Sequence, residues 1–190
     1  MCNPEMNCTF VVLSNRIPMR DIELRAIEPD DIDIIYTWEN DQSIWESSET
    51  HTPFSRYMLE QYIISAQSVD IQSSKQLRLM IDMKIDGKRV AVGCVDIFDY
   101  NTFHHRAGIG ILISEAYRGK GIATVAISMV CNYCRQHLHL HSLYANINQN
   151  NIASIKAFEK NGFQLVAIKK DWTHTDTGYC NECMVQKILE

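Results

Sequence analysis

The sequence predicts one mixed α/β domain, and three observations carry the prediction. Strand-type and helix-type patterns follow one another in the order β-α-α-β-β-β-α-β-α-β-β. The 190 residues suit a single core of ordinary size. No repeat, low-complexity tract or Pro/Gly/Ser-rich linker divides them. The domain is expected over residues 21–190, after an extension of residues 1–20 in which Pro4 and Pro18 bracket only the short Val11-Val12-Leu13 run.

The elements follow in order. Ile22-Glu-Leu24-Arg-Ala26 alternates like a half-buried strand, and Glu28-Pro29-Asp30-Asp31 opens a helix carrying Ile32, Ile35, Tyr36 and Trp38. Thr52-Pro53, a hydroxyl cap before a proline, predicts the second helix start, with Phe54, Tyr57, Met58, Tyr62 and Ile63 on one stripe. Leu77 to Met83 and Val90 to Asp96 flank Asp86-Gly87, a hairpin signal. His105 to Ile113 reads as a largely buried strand whose glycines permit a bulge. An apolar helix runs from Ile122 to His137, and a strand from Leu143 to Ile147. Asn151 caps a helix that stops at Gly162. Strands near Phe163 to Lys169 and Tyr179 to Ile188 close the chain.

Composition narrows the function. Hydrophobic residues make up 46% and charged residues 22%, which excludes disorder throughout. A net charge of −5 argues against a general nucleic-acid binder, because phosphates need a cationic face. No apolar run nears the roughly 20 residues of a membrane span; Thr9 to Leu13 and Ile109 to Ile113 are strand-sized. Glu5, with no basic start ahead of a hydrophobic stretch, leaves no signal peptide to expect. Seven cysteines are an odd number in a chain too long to need a disulfide scaffold, so a reducing cytoplasm is the simpler compartment.

One segment carries chemistry. Arg118-Gly119-Lys120-Gly121-Ile122-Ala123 joins a strand to a helix. Its glycines let backbone N–H groups converge, the helix N-terminus adds positive dipole, and Arg118 and Lys120 add charge, which together suit a phosphate or pyrophosphate. Neither the P-loop G-x-x-x-x-G-K-S/T nor the dinucleotide G-x-G-x-x-G is present.

The stretch resembles the Q/R-x-x-G-x-G/A pyrophosphate loop of the GNAT family of N-acetyltransferases, matched at Arg118, Gly121 and Ala123. A second segment, Asn151-Ile-Ala-Ser154-Ile-Lys-Ala-Phe158-Glu-Lys-Asn-Gly162-Phe163, is similar to the family's N-x-x-S-x-x-x-Y/F-E-K-x-G-F. The likeness covers about Ile22 to Leu189. Val92-Gly93, the His104-His105-Arg106 turn and the closing hairpin look like the spermidine and ribosomal-protein acetyltransferase branches.

The resemblance implies a mostly antiparallel twisted sheet, splayed between its fourth and fifth strands, with the pantetheine arm of acetyl-CoA in the gap like an added strand. The pyrophosphate would rest on the amides of Arg118, Gly119, Lys120, Gly121, Ile122, Ala123 and Thr124. Backbone N–H near Leu112 or Ile113 would polarise the thioester carbonyl. Asn151 would bind the arm, with Ser154 and Phe158 close by. An amine with a pKa near 10 must lose a proton before attack, so a base should line the acceptor side; Asp96, Asp99 and Glu115 are the candidates. The family often places a proton-donating Tyr where this chain has Phe158. Ser154 is the economical substitute, with Tyr144 behind it, and unassisted departure of the thiolate is the other possibility.

Two constellations are set aside. Cys131-Asn-Tyr-Cys134 and Cys180-Asn-Glu-Cys183 lie too far apart for a zinc ribbon, and on a helix and a strand rather than in turns, so no metal is expected. His137-Leu-His139-Leu-His141 suits a helix end. Trp38, Trp45, Phe98, Tyr100 and Phe103 are core or pocket aromatics.

The leading expectation is an acetyl-CoA-dependent N-acetyltransferase acting on a primary amine, either a polyamine-like small cation or a protein N-terminus. A catalytically weak acyl-CoA sensor is the alternative that Phe158 keeps open. No nucleic acid, membrane or metal partner is expected, and a homo-oligomer is left open. Charge adds a lean toward cations. Glu28, Asp30, Asp31, Asp33, Glu39, Asp41, Glu46 and Glu49 fall between Ala26 and Ser55, a span without Lys or Arg, while the Arg118/Lys120 loop is basic.

Overall fold

The computed structural model describes residues 21–48, 50–175 and 178–190; the 1–20 extension, with its Val11-Val12-Leu13 run, and Glu49 lie outside the described residues. Among these residues the strands are β1 (Ile22–Ala26), β2 (Leu77–Ile85), β3 (Lys88–Asn101), β4 (Arg106–Ile113), β5 (Ser142–Asn148), β6 (Gln164–Thr175) and β7 (Gly178–Ile188). They form one sheet in the order β1-β2-β3-β4-β5-β7-β6. Neighbours are antiparallel except β4 and β5, which run parallel. The helices are α1 (Ile32–Glu39), α2 (Gln42–Ser48), α3 (Arg56–Ser68), α4 (Ile71–Ser74), α5 (Ile122–Gln136) and α6 (Ile152–Glu159).

Two apolar clusters sandwich the sheet. α5 presses Ile122, Ala126, Ile127, Val130 and Cys134 against Ile81, Val95, Ile109 and Leu143. α1 and α3 bring Ile35, Trp38, Leu59 and Ile63 against Met80 and Cys94. Neighbours in β2, Met80 and Ile81 belong to different clusters, as alternation along a strand requires of opposite faces. Each such aliphatic side chain contributes about 1.5–3 kcal/mol on burial.

Several expectations shift. The second helix begins at Arg56, capped by Ser55, whose Oγ accepts from Met58 N at 3.2 Å; Thr52 and Pro53 precede it. Its inward phase is set by Leu59 and Ile63, so Tyr57 and Met58 face solvent at 68% and 56% exposure instead of joining the expected stripe. Among the described residues the region between β1 and β2 holds four α-helices rather than two. Asn40 ends α1 by bonding Tyr36 O and Phe54 O through Nδ2 and accepting from Phe54 N, which ties α1 to the approach of α3. β6 runs to Thr175, beyond the expected Lys169, because pairing with β7 continues to Thr175 opposite Gly178.

A bulge changes a face. Opposite β2, Ile81 pairs with Gly93 but Asp82 with Ala91, so β3 carries one extra residue there. Val92 therefore packs with the α5 cluster while Cys94 packs with the α1/α3 cluster. Alternation along β3 would put Asp96 on one face with both Val92 and Cys94; the bulge leaves it with Cys94, where Arg78 meets it. A Cβ on Gly93 would sit 2.2 Å from Leu112 O, so the close approach of β3 and β4 here requires glycine. Among the described residues no helix is long and apolar enough to cross a membrane.

Candidate active site

β4 and β5 pair over three positions, Arg106 with Ser142, Ala107 with Leu143 and Gly108 with Tyr144, and no further. Beyond that vertex Ile109–Ile113 and Ala145–Asn148 share no ladder, which leaves a slot open toward the strands' C-terminal ends. Ser114 N–H donates to Val92 O at 2.9 Å, toward β3. Alternation therefore turns the amide of Ile113, and behind it those of Ile111 and Ile109, into the slot, and that of Leu112 toward β3. The five-residue step from Gly108 to Ile113 spans about 17 Å, enough for an extended chain lying beside β4.

At the open end stands the glycine loop. Gly119 and Gly121 adopt φ of +76° and +81°, a region other residues rarely occupy, and a Cβ on either would meet nothing within 4 Å. Gly121 is the residue before α5, and no side chain caps the helix's first amides. Ile122 anchors the turn in the core at 1% exposure. Thr124 O accepts from Asn161 Nδ2 at 3.0 Å, linking α5 to the end of α6. Arg118 Nε donates to Ile113 O at 2.9 Å and Lys120 Nζ to Ala116 O at 3.0 Å, with the ammonium 5.0 Å from the Tyr117 ring centre. Both cations brace the loop while lying at the surface. Free amides, a helix N-terminus and open space around two glycines fit a pyrophosphate.

The remaining expected residues are dispersed. Asn151 Oδ1 accepts from Ser154 N at 3.1 Å, so its side chain caps α6, and Ser154 lies half-buried in that first turn. Phe158 is 2% exposed and meets Phe163 edge-on at 4.9 Å, a core position. Glu115 is exposed in the turn between β4 and the loop, on the loop side of the slot.

Asp96 has both oxygens on Arg78, at 2.7 and 2.8 Å. Arg78 also pairs with Glu39 and lies 5.6 Å from the Tyr62 ring centre. Burial pushes the neighbouring Cys94 thiol up to about 12. Asp99 is exposed and accepts from Tyr144 Oη at 2.8 Å. Burial first, and then the Asp99 carboxylate, push the Tyr144 phenol up to about 12. Phe98 stands edge-on to Tyr144 at 5.9 Å, and a Cβ on Gly108 would come within 2.3 Å of its ring. Tyr144, Asp99 and Phe98 thus gather at the closed end of the slot. The Arg78–Glu39 link went unforeseen; the signal was an arginine set among the apolar Leu77, Leu79, Met80 and Ile81.

Cys131 and Cys134 are buried on α5, and burial raises their thiols to about 11 and 12. Cys180 and Cys183 lie on β7, where Cys180 Sγ accepts from Asn148 Nδ2 at 3.0 Å. His137, His139 and His141 are exposed around buried Leu140.

A parallel pair opened beside an anion cradle is the site of an enzyme that holds a long anionic cosubstrate between its strands. Residues 21–164 match the acetyltransferase (GNAT) domain, and the chain belongs to that family. It is an N-acetyltransferase with acetyl-CoA as cosubstrate. Over 148 residues it is 26% identical to the spermidine N(1)-acetyltransferase of Escherichia coli (strain K12), covering 76% of this chain and 73% of the relative. Over 142 residues it is 24% identical to the Vibrio cholerae spermidine N(1)-acetyltransferase, covering 75% and 78%. A crystal structure of the Vibrio cholerae spermidine N-acetyltransferase with CoA and spermine matches with a TM-score of 0.80 at 20% identity, over 90% of this chain and 96% of that one. A dodecameric structure of that enzyme matches at 0.74 and 21% identity, over 90% and 95%.

Proposed function

We propose that this enzyme acetylates a primary amine of a polyamine-type small cation, by direct transfer, in the slot between β4 and β5. The observation that carries the reading is the slot itself, with Tyr144 and Asp99 at its closed end; the named activity of the spermidine acetyltransferase relatives supports the acceptor. Acetyl-CoA supplies the activated acetyl thioester when bound. Arg118 N–H is taken by Glu115 O at 3.1 Å, so the amides of residues 119–124 hold the pyrophosphate, and Ile113 and Ile111 N–H bond the arm. Ile109 and Ile111 N–H are the donors nearest the vertex, where a thioester carbonyl needs stabilising, a shift inward from Leu112 and Ile113. Asn151 and Ser154 border the mouth.

Asp99 is the better base, since Arg78 occupies Asp96 and Glu115 sits on the loop side. It takes the acceptor ammonium's proton, directly or through water. Tyr144 stays protonated at neutral pH and, with Ser154, can donate toward the departing thiolate. The acidic segment helps less than its sequence charge implies: Asp31, Asp33 and Glu39 are ion-paired with Arg25, Arg56 and Arg78. A homo-oligomer is inferred from the dodecameric relative, and a cytoplasmic location from the thiol-rich composition.

The test is thiol release from acetyl-CoA with spermidine, spermine, free amino acids and N-terminal peptides as acceptors. Turnover with the polyamines is expected. Preference for peptides overturns the acceptor, and tight CoA binding with no turnover on any amine favours the sensor. Asp99→Asn should lower kcat about 100- to 10,000-fold with CoA affinity kept; a wild-type rate removes Asp99 from the mechanism.

A further inference from the structure

Glycine inside a strand weakens it, and it marks a bulge, a bend or the close approach of another backbone or a ligand. All eight glycines of the chain are among the described residues. Five have positive φ. At Gly93 and Gly108 a Cβ would meet a backbone oxygen at 2.2 Å and an aromatic ring at 2.3 Å. Gly110 is the exception. Its φ lies outside the left-handed region, and the nearest atom to its Cβ position, Cε1 of Phe98, is an ordinary contact at 3.9 Å. Neither backbone nor packing asks for glycine there.

Its place in the sheet supplies another reason. Gly110 stands two residues past Gly108, where the β4–β5 ladder ends, and so beside the open slot. Ile109 and Ile111 belong to the α5 cluster and Leu112 to the α1/α3 cluster, so alternation turns the bare Cα of Gly110 to the α1/α3 face. On that face Phe98, opposite Gly108, reaches edge-on to Tyr144, the partner of Asp99. Asp96, opposite Gly110, is bound to Arg78 on β2, across β3 from β4. Gly110 is half-buried, with open space above it between Leu112 and the Phe98 ring.

We propose that Gly110 is the floor of the acceptor's path: the carbon chain of the amine crosses β4 at this bare Cα, beside the Phe98 ring, to bring its nitrogen to the thioester. Gly110 is then a specificity-determining residue that leaves the cosubstrate alone, because the arm bonds the edge of β4 and not its α1/α3 face. The inference rests on the reading of this face as the acceptor side.

Gly110→Ala and Gly110→Val add a methyl and an isopropyl group where the chain itself leaves room. Both should fold, with melting temperatures at or above that of wild type, since strands favour a side chain. One carbon too many in a fitted passage costs about 10- to 200-fold, so kcat/KM for spermidine should fall about tenfold in Gly110→Ala and at least about 100-fold in Gly110→Val. CoA affinity by calorimetry should match wild type in both. Wild-type kcat/KM in Gly110→Val overturns the inference. A parallel loss of CoA affinity also overturns it, by placing the cosubstrate's arm over Gly110. Failure of Gly110→Ala to fold does the same, since packing would then require the glycine; if only the valine variant fails to fold, the alanine variant decides. Should wild type prefer another amine to spermidine, the polyamine reading fails while the same variants test Gly110 with that amine. No turnover of any amine by wild type overturns both.

Discussion

Gly121→Asp should abolish measurable CoA binding while the protein stays folded. The position has φ of +81°, where an L-residue carries about 1–2 kcal/mol of strain. A Cβ there meets nothing within 4 Å, so no clash adds to that strain. The carboxylate, however, would sit at the amino end of α5, at the amides proposed to hold the pyrophosphate. It would both bond those amides and repel the incoming anion. A loss of at least about 100-fold in affinity, near 2.7 kcal/mol, is expected by calorimetry. Gly121→Asn separates charge from strain, because asparagine tolerates the left-handed region and is neutral. It should retain CoA affinity to within about tenfold, with a similar melting temperature. Equal CoA affinity in Gly121→Asp and wild type would sink the placement of the pyrophosphate.

What was legible in the sequence was what is decided locally. Asp86-Gly87 turns with φ of +48° and +81°, as a two-residue hairpin demands, and Gly121 precedes α5 as the loop motif implied. β6 was underestimated because it is a long edge strand with little burial, so no alternation marks it and its length comes from β7. The opposite faces of Val92 and Cys94 were not legible because a one-residue bulge inverts alternation without changing composition. The acid–base groups were harder for a related reason. Tyr144 and Asp99 are 45 residues apart, and Arg78 and Glu39 are 39 apart. Which carboxylate remains open to an acceptor depends on which arginine the fold delivers to the others. No spacing rule encodes that.

Arg78→Met should produce a large stability loss, and its pH dependence identifies the cause. Burial by itself lowers the guanidinium's pKa, but the surrounding groups, Asp96 first, together outweigh it, so Arg78 stays charged between Glu39 and Asp96. Its side chain is 15% exposed, and those of Glu39 and Asp96 are 21% and 37% exposed. Methionine keeps much of the apolar stem but leaves two carboxylates facing each other without a cation. Breaking a fully buried pair costs about 3–5 kcal/mol; with Asp96 over a third in water, about 2–3 kcal/mol is expected. In the variant the two carboxylates repel each other with no cation between them, and protonating either relieves that repulsion. The loss is therefore greatest where both are ionised and shrinks in acid. Urea unfolding at pH 7 and pH 5 should show the deficit narrowing in acid. An equal deficit at both pH values would assign it to packing. Because Glu39 ends α1 and Asp96 lies on β3, the variant also loosens α1 against the sheet. CoA affinity should hold, since among the described residues the glycine loop proposed to hold the pyrophosphate makes no hydrogen bond or ion pair with Arg78, Glu39 or Asp96.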